Sequence, residues 1–126
     1  MRHFIANHNE KKVGFSCVDI PEPRVQTSRP VDGVEGVTVW LVAGEGEMPK
    51  AYFLAATFVT SRCGMNSVPG STFSNLIAGP GRLFKKTIPL SGTSLLEQVR
   101  SESANFVSGF YETKDHTIIS GLLSII

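Results

Sequence analysis

The strongest strand signals of this chain are VTVWLVA at residues 37–43 and YFLAATFV at residues 52–59. Both are rich in β-branched and aromatic residues, which favour β-strands because their side chains pack well on a pleated surface. The intervening residues 44–50 read GEGEMPK, with two glycines that tolerate the positive φ angles of a turn and a proline that ends a strand. The pattern predicts that the two strands pair as an antiparallel hairpin with an open loop.

Further strands are predicted on either side of this hairpin. Residues 1–6 are compatible with an edge strand, and residues 13–20 with a second strand. Residues 82–89, RLFKKTIP, form a third strong pattern, in which Lys85 and Lys86 must point to opposite faces of a sheet because successive side chains of a strand alternate.

Two irregular connections are predicted between these strands. Three prolines within residues 21–36 predict an extended loop there, since proline has a fixed φ and lacks a backbone N–H. Residues 60–81 combine glycine and proline with serine and asparagine, and predict a long connection of the kind that is often functional or mobile.

Two helices are predicted in the last third of the chain. Residues 94–97, SLLE, have the spacing of a capping box and begin a helix that we expect to run to about residue 105. Asp115 is the expected N-cap of a short final helix, which Gly121 weakens by about 1 kcal/mol. One stripe of that helix is apolar and either enters the core or forms half of an intersubunit contact; it comprises Ile118, Ile119, Leu122, Leu123 and Ile126.

The length and composition indicate a single globular domain. The chain has 126 residues, of which 41% are hydrophobic and 18% charged, and it contains no apolar run of the roughly 18 residues that would span a bilayer. No apolar signal segment follows the N-terminus, and we expect a cytoplasmic protein with no membrane partner. Cys17 and Cys63 are interpreted as two buried thiols rather than a disulfide or zinc site.

The predicted fold class is therefore α+β, with one domain over residues 1–126. Its expected architecture is a twisted antiparallel sheet or partial barrel, with one packed helix and a short C-terminal helix.

No catalytic motif, metal site or cofactor site is predicted. His3, His8 and His116 share no ligand spacing, and their simplest interpretation is as solvated surface residues. An acid/base or metal site would require folding to bring His116 and Asp115 near His8 and Glu10. No G-x-S-x-G elbow is present, and neither pair of closely spaced glycines, at 44 and 46 or at 79 and 81, is completed to a dinucleotide fingerprint.

The charge is segregated along the chain, although the formal net charge is only +1. Residues 50–100 carry six basic side chains against the single acid Glu97, whereas the segments before and after them each have a net charge of −2. A basic region attracts polyanions, and phosphates are neutralised by guanidinium and ammonium groups. The candidate nucleic-acid contacts are Lys50, Arg62, Arg82, Lys85, Lys86 and Arg100.

Two aromatic residues bear on this hypothesis. Phe84, among the basic residues, either stacks on a base or lies inside an ordinary solvated amphipathic strand. Trp40 is interpreted as a core residue rather than a stacking platform.

Part of the chain resembles the N-terminal modules of some bacterial HNH-type endonucleases. The motifs are VWLVAGEG at residues 39–46, PKAYFL at 49–54, a glycine-rich turn before Phe84, and NFVSGF at 105–110, within a resemblance that covers residues 37–112. The resemblance implies that this module contacts DNA. It transfers no catalytic residue, because the only letters similar to an HNH segment are at residues 8–10, without the later histidine that the nuclease fold requires.

The leading functional prediction is a non-catalytic nucleic-acid-binding module. The alternative is an oligomeric interaction protein or a small-ligand-binding protein, in which the C-terminal apolar stripe joins two copies or residues 60–81 rim a pocket. A third alternative, an unrecognised enzyme, would require the histidines to converge with carboxylates in a cleft.

Overall fold

A computed structural model describes residues 2–9, 20–31, 33–46, 50–104, 106 and 109–126. The described residues form eight strands and two helices. In chain order these are β1 His3–Asn9, β2 Arg24–Thr27, β3 Thr38–Glu45, β4 Ala51–Val59, β5 Arg62–Met65, β6 Asn75–Ala78, β7 Gly81–Pro89, α1 Ser94–Glu102, β8 Phe110–Thr113 and α2 His116–Ile125.

The strands form two sheets. The larger has the order β7-β4-β3-β1-β8, and the smaller has the order β2-β6-β5. Strands β1 and β3 pair in parallel, while every other pair is antiparallel. The α+β class and the hairpin of β3 with β4 are confirmed, with a twisted open sheet of mixed direction rather than a closed barrel.

The five-stranded sheet is buried on both faces. On one face, Val39 and Leu41 of β3 belong to a core that includes Val25 and Ile77 of the smaller sheet. On the other face, alternate β3 residues pack under the two helices, in a second core that includes Trp40, Val42, Leu96, Val99, Ile118 and Leu122. The molecule therefore has three layers, and β3 must be apolar along both of its faces.

A sharp corner connects the two sheets. Strands β4 and β5 are separated only by residues 60–61, and β6 and β7 only by residues 79–80, so one long hairpin bends from the small sheet into the large one. A Cβ atom on Gly79 would lie 1.8 Å from the carbonyl oxygen of Val59, and one on Gly81 would lie 2.2 Å from that of Thr57. Only glycine permits this approach of the two backbones.

Thr60 attaches the corner to the segment before β3. Its backbone N–H donates to the carbonyl oxygen of Val37 (2.9 Å), and its own carbonyl oxygen accepts from the N–H of Gly36 (2.8 Å). The buried hydroxyl donates to the carbonyl of Val34 and accepts from the N–H of Val37 (3.1 Å). A single buried side chain thus satisfies two backbone groups of the segment before β3.

Both predicted helices are present, with a different cap on the first. The N-cap of α1 is Thr93, whose hydroxyl accepts from the N–H of Leu96 (3.2 Å), and the helix ends at Glu102 rather than near residue 105. Asp115 caps α2 as predicted. Gly121 has a packing role, because a Cβ there would lie 3.0 Å from Leu95 of α1.

Several sequence predictions about the connections were wrong. Strand β1 is not an edge strand, since β3 and β8 flank it. Strand β2 lies inside the predicted loop of residues 21–36, and β5 and β6 lie inside the predicted connection of residues 60–81. These strands have four residues each, too few to produce a readable pattern, and form because neighbouring strands pair with them. The predicted strand over residues 13–20 lies outside the described residues except for Ile20.

The sequence predicts that the side chains of Lys85 and Lys86 point to opposite faces of the sheet. The register of β7 is not regular enough to support that prediction. Leu83 is opposite Ala56 and Ile88 is opposite Leu54, so residues 84–87 of β7 face only residue 55 of β4. Such a bulge interrupts the regular alternation of side chains. The direction of the Lys85 side chain is outside what the structure describes.

We expect Thr60→Val to lower the free energy of unfolding by about 1–3 kcal/mol, because valine has a similar shape but leaves the N–H of Val37 and the carbonyl of Val34 without the hydroxyl. Thr60→Ser keeps the hydroxyl and loses one methyl group, at a cost of about 0.8 kcal/mol. Urea unfolding of the two variants measures the difference, and a serine variant less stable than the valine variant would contradict this role.

Candidate nucleic-acid interface

Strand β7 places two of the candidate basic residues at an edge of the five-stranded sheet. Arg82 and Lys86 are both exposed. The guanidinium carbon of Arg82 lies 5.0 Å from the ring centroid of Phe84. Phe84 is half-buried against the core beneath the helices, so its ring serves as a support for Arg82 as well as a core residue. A cation held on an aromatic ring loses less conformational freedom when it binds an anion.

Lys50 and Arg100 lie near the end of the β4–β7 pair that is far from Arg82. Lys50 directly precedes β4 and is exposed. Arg100 of α1 has its guanidinium carbon 5.7 Å from the ring centroid of Tyr52, and its Nη1 lies 3.6 Å from a carboxylate oxygen of Glu97. Because Arg82 is opposite Thr57, the separation from Lys50 along β4 is about 23 Å, at ~3.3 Å per residue. We call Lys50, Arg82, Lys86 and Arg100 the basic edge.

The other two candidate residues are placed differently. Arg62 lies in β5 of the smaller sheet, where its Nη2 is 3.0 Å from both carboxylate oxygens of Glu22. The structure therefore does not bring Arg62 together with the basic edge. Lys85 belongs to β7 by its backbone, but its side chain is outside the described part of the structure.

A cleft lies beside the carboxyl end of β1. Strand β8 pairs with β1 only as far as Ala6, and the N–H of Asn7 then donates to the carbonyl of Gly109 (2.8 Å). The cleft has a volume of about 410 Å³, and its lining comprises Asn7, Asn9, residues 26–29, Phe73, Phe106 and Gly109. Its walls combine amide and hydroxyl groups with two aromatic rings.

Asn66 organises one wall of this cleft, and sequence reasoning missed it. Its Nδ2 lies within hydrogen-bond distance of Oε1 of Gln26 (3.1 Å), Oγ of Ser71 (2.9 Å) and the carbonyl oxygen of Phe73 (3.0 Å), so its two hydrogens are shared among three acceptors. Its Oδ1 accepts from the N–H of Val68 (3.0 Å), as in an Asx turn. The available sequence signal was the position of this asparagine two residues before Val68 and Pro69. That pattern indicates a turn but does not indicate the wall of a cleft.

Phe106 forms another wall with an unusual backbone. Its φ is 65°, a left-handed conformation that costs a non-glycine residue about 1–3 kcal/mol. The N–H of Phe106 donates to Oγ of Ser103 (3.0 Å), which in turn donates to the carbonyl of Val99 (2.8 Å). The ring stacks on Tyr52 with 5.4 Å between centroids. These contacts hold the Phe106 ring in place despite the strain.

The three histidines have separate environments. His3 accepts a hydrogen bond at Nδ1 from the indole N–H of Trp40 (3.0 Å), His8 is buried, and His116 is exposed at the start of α2. The surface interpretation is therefore right for His116 and wrong for His8. Trp40 is a core residue, as predicted. Glu10, which the acid/base alternative needed, lies outside the described residues.

The described residues contain no group of three or more His, Cys, Asp or Glu side chains that could hold a metal ion. Cys63 is a half-buried free thiol whose pKa is raised by burial, while Cys17 lies outside the described residues. Within the same described ranges, no helix has the length and apolar character needed to cross a bilayer.

Comparison with known proteins adds no relative. No protein-family model, no curated protein and no solved structure matches this chain. The resemblance to the N-terminal modules of HNH-type endonucleases stays a prediction made from residues 37–112. The function is therefore inferred from the geometry of the basic edge and the cleft.

We expect an acid transition in the fluorescence of Trp40, the single tryptophan of the chain. Burial lowers the pKa of His3 below its usual 6.5, and only the neutral imidazole can accept the indole N–H. The unfolded chain takes up this proton at a higher pH than the folded chain, so the stability that His3 contributes falls as the pH drops from about 6.5 towards the lowered pKa.

A fluorescence titration should accordingly show a midpoint below pH 6.5 that disappears in His3→Gln. His116→Gln, at an exposed position, is the matched control and should retain the transition. If the transition survives in His3→Gln, a group other than His3 is responsible.

Proposed function

We propose that this chain is a non-catalytic, cytoplasmic nucleic-acid-binding module that holds phosphates along the basic edge. The observation that carries the proposal is the placement of Arg82 on the Phe84 ring, next to Lys86, at the exposed edge of the sheet. Phosphate contacts from arginine and lysine supply most of the affinity of non-specific nucleic-acid binding.

Arg82 and Lys86 differ in their ion pairing from other cations of the molecule. Arg2 is held by Glu112 (3.0 Å), where it lowers the pKa of that carboxyl group, and Arg62 is held by Glu22. Within the described residues, Arg82 and Lys86 have no carboxylate partner within 4.0 Å. Their charge is therefore directed to solvent, where it can attract a polyanion.

The dimensions of the basic edge also suit a chain of phosphates. It extends over about 23 Å between Lys50 and Arg82, which is long enough for several nucleotides of an extended strand. Tyr52 and Phe84 provide rings beneath Arg100 and Arg82, and these rings hold the guanidinium groups at the surface.

A second candidate function, self-association, is favoured by the end of α2. Ile118 and Leu122 of its apolar stripe are buried in the core, whereas Leu123 is 53% exposed and Ile126 is 45% exposed. Light scattering at high protein concentration tests this candidate, because a monomer would remove the argument from the exposed residues.

We expect Arg82→Ala and Lys86→Ala each to weaken binding of a labelled oligonucleotide and to flatten its salt dependence. Each lost phosphate contact reduces the slope of log K against log salt by about 0.7 for a single strand and about 0.9 for a duplex. Fluorescence anisotropy at roughly 50 and 200 mM salt measures both effects for each type of nucleic acid.

Lys114→Ala is the matched control, because it removes one exposed lysine between β8 and α2, at the opposite edge of the sheet. Its slope should equal that of the unmodified protein. Equal losses for Lys114→Ala and Lys86→Ala would show that only net charge matters, and absence of binding at 50 mM salt would exclude the proposed function.

A further inference from the structure

The cleft beside β1 has the features of a built binding site. Its volume of about 410 Å³ falls within the roughly 300–1,000 Å³ of small-molecule sites. From its lining, we infer that it binds one planar heteroaromatic group with adjacent hydrogen-bond donors and acceptors, the chemistry of an unpaired nucleobase. This inference rests on the proposed function, since the base would belong to a strand whose phosphates follow the basic edge.

Two aromatic rings form apolar walls of the cleft. Phe73 is half-buried and lines the cleft, and among the described residues it is part of neither apolar core. Phe106 is backed by Tyr52, whose ring lies under the guanidinium group of Arg100. Rings that are held in place before binding suit the stacking of a base, which requires a flat and rigid surface.

Two amide side chains provide the polar groups. Oδ1 of Asn7 is buried and has no hydrogen-bond partner among the described residues. Oε1 of Gln26 is taken by Asn66, so the Gln26 amide nitrogen is the group that remains to donate to a ligand. Asn7 and Gln26 both line the cleft, and an amide acceptor and an amide donor there would match the paired donor and acceptor of a base edge, which asparagine and glutamine commonly recognise.

Lys50 connects the cleft to the basic edge. In the parallel pairing of β1 with β3, Asn9 is opposite Gly44. A Cβ atom on Gly44 would lie 2.8 Å from Cδ of Lys50, so the lysine stem packs over this glycine, one strand away from the cleft wall. A base in the cleft would therefore have its own backbone near Lys50, at one end of the basic edge.

The test compares two labelled 12-nucleotide strands with identical phosphates, one carrying bases and one abasic throughout. The inference predicts that the protein binds the base-carrying strand more tightly. It also predicts that Phe73→Ala weakens binding of that strand by about 5- to 150-fold, with no change for the abasic strand. Met65→Ala is the control, because Met65 is 89% exposed on β5 and does not line this cleft.

Asn7→Leu separates a binding role from a structural one. It removes a buried acceptor that has no partner among the described residues, so we expect the urea midpoint to stay the same or rise. Affinity for the base-carrying strand should fall nevertheless. A loss of stability with unchanged affinity would overturn the assignment of Asn7 to the site.

Free nucleoside monophosphates, measured by calorimetry, distinguish a base within a strand from a free nucleotide. Equal binding of both strands would overturn the inference while the proposed function stands. Binding of a mononucleotide that is lost in Phe73→Ala, without binding of either strand, would support the cleft and remove the proposed function. Failure of every probe to bind would overturn both.

Discussion

The structure depends on the burial of β3 on both faces. Its alternate side chains enter two different cores, one shared with the three-stranded sheet and one shared with the helices. A polar side chain at either set of positions would be taken out of water without compensation. The indole N–H of Trp40, a polar group that this arrangement buries, donates to His3 on the neighbouring strand β1. The three-layer arrangement follows from this constraint.

The corner at Thr60 and Gly79 determines where the basic edge and the cleft lie. Because the hairpin of β4–β5 with β6–β7 bends there, β7 becomes an edge of the large sheet while β6 is the centre of the small one. The bend leaves Arg82 and Lys86 at an exposed edge. It also places the small sheet over the face of the large sheet that lies opposite the helices. There, residues 26–29 and Phe73 meet the end of β1. The basic edge and the cleft are thus products of the same backbone feature.

Charge along the chain was only a partial guide to charge on the surface. Six basic residues lie between residues 50 and 100, but Arg62 is neutralised by a glutamate forty residues earlier, and Arg100 lies beside Glu97. Ion pairs between distant segments cannot be read from composition, since they depend on which strands become neighbours. The grouping of Lys50 with Arg82 and Lys86 depends equally on the pairing of β4 with β7.

Local sequence patterns were sufficient to predict the α+β class, the hairpin of β3 and β4, the strand β7, both helices and the core position of Trp40. These features follow from local preferences and from patterns long enough to be read. Four features became evident only from the folded chain: the parallel pairing of β1 with β3, the four-residue strands, the burial of His8 and the cleft organised by Asn66. Each of these depends on contacts between segments far apart in the chain, for which a short stretch of sequence carries no signal.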